Sequence, residues 1–174
     1  MAVSILSTAT LLSLAALFGA SKPALVRTID IPITGLNQRL NGFRIVQISD
    51  IHIGQAVSRK RVAQIVDQCN RLDADIIAVT GDLADGDANR LRDSAAPLAT
   101  LQARHGVWFV TGNHDYYSGV DPWCKLAEEL NMKVLINTSQ LIEFNGQKVQ
   151  IAGVTDPSGG VFKKGHAPEL AQAR

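Results

Sequence analysis

The chain has 174 residues, of which 46% are hydrophobic and 19% are charged, and its formal net charge is +1. This length suits one domain with a substantial core, and the composition excludes an intrinsically disordered chain. Because the charges nearly balance, we expect no nucleic-acid binding. Cys69 and Cys124 have no C-x-x-C partner, which predicts free thiols rather than a disulfide framework or a zinc-thiolate site.

Residues 2–20 carry no charge, and a helix of this length would just cross a hydrocarbon core. We therefore predict that residues 1–21 form a membrane anchor or a signal-like helix, with a buried or surface helix as the remaining alternative. No Lys or Arg precedes the apolar run, which argues against a cleaved secretory signal. Lys22 and Arg27 follow the run, and the positive-inside tendency then places the next domain in the cytoplasm. Export through a cleaved signal is the alternative localisation.

Residues 22–42 are predicted to be a connector, with an edge strand at residues 29–33 and a turn at Asn41-Gly42. Residues 43–174 are predicted to form the folded domain. Buried strands are expected at residues 43–49, 75–80 and 107–111. Helices are expected at residues 57–72 with Ser58 as N-cap, at residues 89–102 with a division at Pro97, and at residues 121–131 with Asp121 as N-cap.

The alternation of strands and helices predicts an α/β fold, with a right-handed β-α-β-α-β unit and a parallel sheet flanked by helices. The pattern then changes. Short strands are expected at residues 134–137, 141–144 and 148–153, with a tight hairpin turn at Asn145-Gly146, as an edge hairpin or the start of a second sheet. From Asp156 onward, proline and glycine predict a loop.

Polar groups follow each of the three buried strands directly. The strand ends carry a D-x-H, a G-D-x-x-D and a G-N-H-D motif, with the polar residues Asp50, His52, Asp82, Asp85, Asn113, His114 and Asp115. Because the carboxyl ends of parallel strands lie side by side, these groups are expected to share one cleft. Each motif alone is commonly a turn or a helix cap. Their joint occurrence predicts a two-metal site, with Asp82 as a bridging carboxylate, that activates water against a phosphate.

With these motifs the chain resembles the calcineurin-like metallophosphoesterases, in particular a membrane-associated bacterial branch, over residues 43–156. The resemblance implies a four-layer sandwich of two mixed sheets flanked by helices, of which this chain holds the first half. It implies two divalent metal ions, manganese, iron or zinc. It also implies hydrolysis of phosphate mono- or diesters. If residues 2–20 anchor the chain, they would hold the site near the bilayer. That position would favour a lipid-linked phosphate or a nucleotide as substrate.

The resemblance further implies which residues bind the metals. Asp50 and His52 would bind the first ion, and Asp82 would bridge the two ions. Asn113 would bind the second ion.

The resemblance also implies roles for three residues that would not bind metal. His114 would contact the substrate phosphate or protonate the leaving group. Asp115 would orient His114, and Asp85 would support the site without binding metal.

Two segments that complete the site in the family are absent from this chain: a histidine after a later apolar strand, and a G-H-x-H motif. Gly165-His166 resembles the start of that motif, but Pro168 stands where its second histidine belongs, so His166 is not expected to bind metal. We therefore expect a chain cut short, with weak metal binding and little turnover by itself. The alternative is an inactive remnant or scaffold that keeps the fold and part of the metal binding.

Overall fold

The computed structural model describes Ile5, residues 7–14 and residues 23–173. By its internal contacts the chain divides into two compact units, Met1–Pro32 and Ile33–Arg174.

In the first unit, residues 7–14 are helical and exposed. Among the residues that the structure describes, no helix is both long enough and apolar enough to cross a membrane. Residues 1–4, 6 and 15–21 of the predicted membrane segment lie outside the described residues.

The edge strand predicted at residues 29–33 is wrong. Residues 23–33 form neither helix nor strand, and Ile29 and Ile31 are exposed. Alternating apolar residues become a strand only where a neighbouring strand takes up their backbone hydrogen bonds. The predicted turn at Asn41-Gly42 is confirmed, and Gly42 has a φ of +79°.

The second unit is built on a parallel sheet whose strands are neighbours in chain order. These strands are β1 (Ile45–Ile48), β2 (Ile76–Thr80), β3 (Val107–Val110) and β4 (Met132–Val134). The predicted β-α-β-α-β unit is confirmed. The strand expected at residues 134–137 is wrong in its bounds, since the strand is Met132–Val134, and it joins this sheet and not a hairpin.

Helices connect the parallel strands: α1 (Arg59–Asn70), α2 (Ala88–Ala95), α3 (Asn113–Tyr117) and α4 (Val120–Glu129). Ser58 caps α1 as predicted, because its side chain accepts a hydrogen bond from the Arg61 amide. The division at Pro97 is also confirmed, since a 3-10 helix at Ala96–Thr100 follows α2.

The predicted N-cap of α4 is wrong. The helix begins at Val120, so Asp121 lies in its first turn and forms an ion pair with Lys163. Gly119 precedes the helix with a φ of +94°, a left-handed conformation that glycine adopts at little cost. Gly119 therefore occupies the N-cap position that was predicted for Asp121.

The hairpin prediction is confirmed in the form of β5 (Thr138–Phe144) and β6 (Gln147–Gly153), which pair antiparallel. Asn145 and Gly146 both have positive φ, as a tight hairpin turn of the I′ type requires. A short helix, α5 (Gly159–Phe162), occupies part of the segment predicted as loop.

The helices and the hairpin cover opposite faces of the sheet. Buried residues of the helix side include Val62, Val66, Ile77, Phe109, Trp123 and Leu126. On the other face, Ile76, Trp108 and Leu135 pack with Ile142 and Ile151 of the hairpin. Cys69 is buried and Cys124 half-buried, both as free thiols, as predicted. The remaining layers of the sandwich stay a prediction.

Candidate metal centre

The loops after β1 and β2 run side by side beyond the sheet. The Asp50 amide donates to the carbonyl of Gly81 at 3.3 Å, and the His52 amide donates to the carbonyl of Asp82 at 3.1 Å. These bonds continue the parallel pairing of the strands into the loops. The D-x-H and G-D-x-x-D motifs are therefore held against each other by the backbone.

The backbone is left-handed at three of the polar residues of these motifs. Asp50, His52 and Asp82 have φ values of +57°, +50° and +51°. Aspartate and histidine adopt this conformation more readily than most side chains do, but each left-handed residue other than glycine still costs on the order of 1 kcal/mol or more. Strain of this kind is concentrated at functional sites, where the surrounding structure maintains it.

A first group of possible ligands contains Asp50, His52 and Asp82, which offer ligand atoms within 4.8 Å of one another. Nε2 of His52 lies 3.8 Å from Oδ1 of Asp50 and 3.9 Å from Oδ2 of Asp82. Two ligand atoms that bind the same ion, each at about 2.1 Å, must lie within about 4.2 Å of each other. The distances meet this limit, and carboxylate oxygen with imidazole nitrogen suits manganese, iron or zinc.

A second group contains His52, Asp85 and His114. The Asp85 carboxylate lies between the two imidazoles, with Oδ2 3.0 Å from Nδ1 of His52 and Oδ1 2.6 Å from Nδ1 of His114. A carboxylate on Nδ1 orients an imidazole and leaves Nε2 for a metal or a substrate. Asp85 can therefore orient both histidines at once.

Asp115 does not make the contact with His114 that its predicted orienting role required. Its fully buried carboxylate accepts hydrogen bonds from the amide of Leu83 at 2.9 Å and from the amide of Gly112 at 2.8 Å. We predicted that Asp115 orients His114, but the structure gives that contact to Asp85, because Asp115 is engaged with these amides. An acidic residue at the third position of a helix is typical of capping, and this signal was available in the sequence.

The burial of Asp115 has an electrostatic consequence. Burial raises its pKa to about 6, against the lowering effect of hydrogen bonds from Gly112, Leu83 and Ala84. The carboxylate ties the loop after β2 to the loop after β3.

The third strand end is joined to the other two through Asp82. Oδ1 of Asp82 accepts a hydrogen bond from the His114 amide at 3.0 Å, and Asn113 is the half-buried first residue of α3. His166 belongs to neither group within residues 23–173; its Nδ1 lies 2.9 Å from the hydroxyl of Tyr116. The three predicted strand ends thus meet at one edge of the sheet.

Asp85→Asn is expected to lower the pKa of His52 in the metal-free chain. The hydrogen bond that Nδ1 of His52 donates to Asp85 is the largest cause of the raised pKa of His52, ahead of the opposing effect of burial. Burial is the largest single influence on the pKa of Asp85 and raises it, but the hydrogen bonds and charge interactions with His52 and His114 together lower that pKa. Histidine titration by NMR measures the shift. Asp50→Asn is the control, because Asp50 is the smallest cause, and equal shifts in both variants would contradict the assignment.

The same pair makes a pH-dependent contribution to stability. Raising the pKa of His52 stabilises the fold below about pH 6.5, and lowering that of Asp85 stabilises it above about pH 4. The excess stability of the wild type over Asp85→Asn should therefore be largest between these limits and should diminish as the pH rises through the folded-state pKa of His52.

The sequence profile of the calcineurin-like phosphoesterases matches residues 43–168. A cattle (Bos taurus) protein named "Transmembrane protein with metallophosphoesterase domain" is 37% identical over 172 residues, which cover 94% of this chain and 39% of the relative. The zebrafish (Danio rerio) protein of the same name is 34% identical over 90% of this chain and 37% of its own length.

Bacterial proteins are similar as well. An uncharacterized metallophosphoesterase of Helicobacter pylori is 30% identical over 65% of this chain and 30% of its own length. The chain thus spans about two-fifths, or less, of the length of these relatives. Since the matched region contains all three strand ends, the chain belongs to the calcineurin-like phosphoesterase family, a family of phosphoester hydrolases.

Proposed function

We propose that this chain hydrolyses phosphate mono- or diesters at a centre of two divalent cations, with slow turnover by the chain alone when it is saturated with metal. The observation that carries the proposal is the first ligand group, in which the ligand atoms of Asp50, His52 and Asp82 lie within 4.8 Å of one another. When bound, two such cations activate water and stabilise the charge that develops on phosphate oxygens. Manganese, iron and zinc suit these ligands.

The chain's own residues divide between binding and positioning. Asp50 and His52 would hold the first cation, and Asn113 would hold the second. Asp82 would be shared by both, and its two oxygens face different loops: Oδ2 faces His52, and Oδ1 accepts a hydrogen bond from the His114 amide.

His114 is the residue that acts on the substrate. Asp85 holds Nδ1, so Nε2 is the atom that can contact a phosphate oxygen or protonate the leaving group. The side chain also contacts the edge of the His52 ring, with 4.5 Å between ring centroids, which fixes its direction further.

His114→Asn is expected to lower turnover about 100-fold while metal content is kept. The loss should be larger for an ester with an alkyl leaving group than for a p-nitrophenyl ester, because nitrophenolate needs little protonation to depart. Steady-state kinetics with both esters measure the difference. An equal loss for both would contradict a role as general acid and would leave phosphate contact as the role of His114.

We further propose that the chain acts beside a membrane, on a lipid-linked phosphate or a nucleotide. The proposal is supported by the uncharged residues 2–20 and by the cattle and zebrafish relatives, which are named transmembrane proteins. Flotation of the chain with phospholipid vesicles tests it, and a chain without residues 2–20 should remain with the unbound fraction.

Metal content and turnover together decide between the enzyme and the scaffold. The purified chain is saturated with Mn²⁺, freed of excess ion and analysed for bound metal, then supplied with bis(p-nitrophenyl) phosphate. Two bound equivalents and Mn²⁺-dependent release of nitrophenol support the proposal. A chain that binds one equivalent or none and releases no nitrophenol would be the scaffold.

A further inference from the structure

The exposed aromatic residues of the described chain lie together beside His114. Tyr117 is 59% exposed and Phe162 is 52% exposed, whereas the other Phe, Tyr and Trp side chains in residues 23–173 are buried or half-buried. The ring centroid of Tyr117 lies 5.4 Å from that of His114 and 5.3 Å from that of Phe162. Two large rings thus face solvent at the edge of the candidate phosphate site.

Phe162 is held in position by contacts beneath it. Its ring stacks on Tyr116, with centroids 6.1 Å apart and 27° between the planes. Gly159 permits the close approach of α5 to α3, because a Cβ there would lie 2.6 Å from the Tyr116 hydroxyl. The position of Phe162 therefore follows from packing against a buried residue.

The orientation of His114 determines which part of a substrate reaches these rings. With Nδ1 engaged by Asp85, Nε2 is directed to the substrate, and the group that departs from phosphorus does so next to His114. Tyr117 is the exposed aromatic side chain in contact with that ring, and Phe162 extends the apolar surface on the far side of Tyr117. The leaving group is therefore the part of the substrate that they can bind.

We propose that Tyr117 and Phe162 form a subsite for a planar aromatic leaving group, such as a nucleoside or an aryl alcohol. This inference rests on the proposed function and favours the nucleotide over the lipid-linked phosphate. Planar rings stack on exposed aromatic faces, which gives them more than the burial of apolar area alone. A flexible acyl chain gains only that burial, which any apolar surface supplies.

Binding of phosphonates tests the subsite without turnover, because their carbon–phosphorus bond is not the ester bond that a phosphoesterase cleaves. Phenylphosphonate and hexylphosphonate carry the same number of carbon atoms, and methylphosphonate supplies the phosphate-like group alone. Calorimetry with the Mn²⁺-saturated chain should give phenylphosphonate an affinity about fivefold higher than that of hexylphosphonate, and a larger excess over methylphosphonate.

Variants connect this preference to the two rings. Tyr117→Ala and Phe162→Ala should each reduce the preference for the phenyl group, and Tyr117→Phe should keep it because the ring remains. Leu141→Ala removes a side chain that is 63% exposed on β5 and should keep the preference as well.

The binding results distinguish a failure of the subsite proposal from a failure of the proposed function. Equal binding of the phenyl and methyl compounds would overturn the subsite alone. Binding of the hexyl compound as tight as that of the phenyl compound would overturn it in favour of a lipid-binding surface. A chain that binds none of the three would overturn both the subsite and the proposed function.

Discussion

Asp82→Asn is expected to remove both cations from the purified chain and to lower Mn²⁺-dependent turnover on the order of 10³-fold. The carboxylate is placed between the loops: Oδ2 lies 3.9 Å from Nε2 of His52, and Oδ1 accepts a hydrogen bond from the His114 amide at 3.0 Å. An amide in its place offers one neutral oxygen and cannot balance the charge of two ions. Metal analysis of the purified variant, followed by kinetics, measures both effects.

Asparagine is the informative replacement because it preserves the local structure. Asp82 has a φ of +51°, which asparagine tolerates, and the amide oxygen can still accept the bond from His114. Asp73→Asn is the matched control, since Asp73 has a φ of +50° but forms ion pairs with Arg44 and Arg104, away from both ligand groups. It should keep its metal and its activity. Retention of two equivalents by Asp82→Asn would refute the bridging role.

The meeting of the three strand ends could be predicted because it depends on topology alone. Apolar runs that stop at Asp50, Asp82 and Asn113, with helices between them, specify parallel strands whose carboxyl ends share an edge. No knowledge of side-chain direction was needed to bring these groups together.

The roles of the individual carboxylates could be predicted only in part: the third position of α3 indicates the capping bond of Asp115 to the Gly112 amide, but not the other contacts. Asp115 binds the amide of Leu83, a residue 32 positions away in the chain, and Asp85 reaches both His52 and His114 only because the loops continue the strand pairing. Such contacts follow from the register of two loops, which local patterns do not encode. The aromatic pair beside His114 was missed for a similar reason, since Tyr117 and Phe162 are far apart in sequence.

Gly81→Ala is expected to destabilise the fold by about 3 kcal/mol and to weaken metal binding. Gly81 has a φ of +85°, and a Cβ there would lie 2.6 Å from both the Cα and the amide nitrogen of Gly112. Because these are backbone atoms, no side chain can rotate away, and the loops after β2 and β3 must separate. That separation would move Asp82 away from the His114 amide. Urea unfolding measures the stability, and metal analysis of the folded fraction measures the site.

Gly165→Ala distinguishes crowding from backbone strain. Gly165 has a φ of +83°, nearly that of Gly81, yet no atom lies within 4 Å of a Cβ built on it. The variant should therefore lose only about 1 kcal/mol, the cost of a left-handed alanine, and should keep its metal. The difference between the two variants measures how closely the two loops must approach to form the centre. Equal destabilisation would mean that the loops can separate without cost, and the close contact of Gly81 with Gly112 would then have no part in holding the strand ends together.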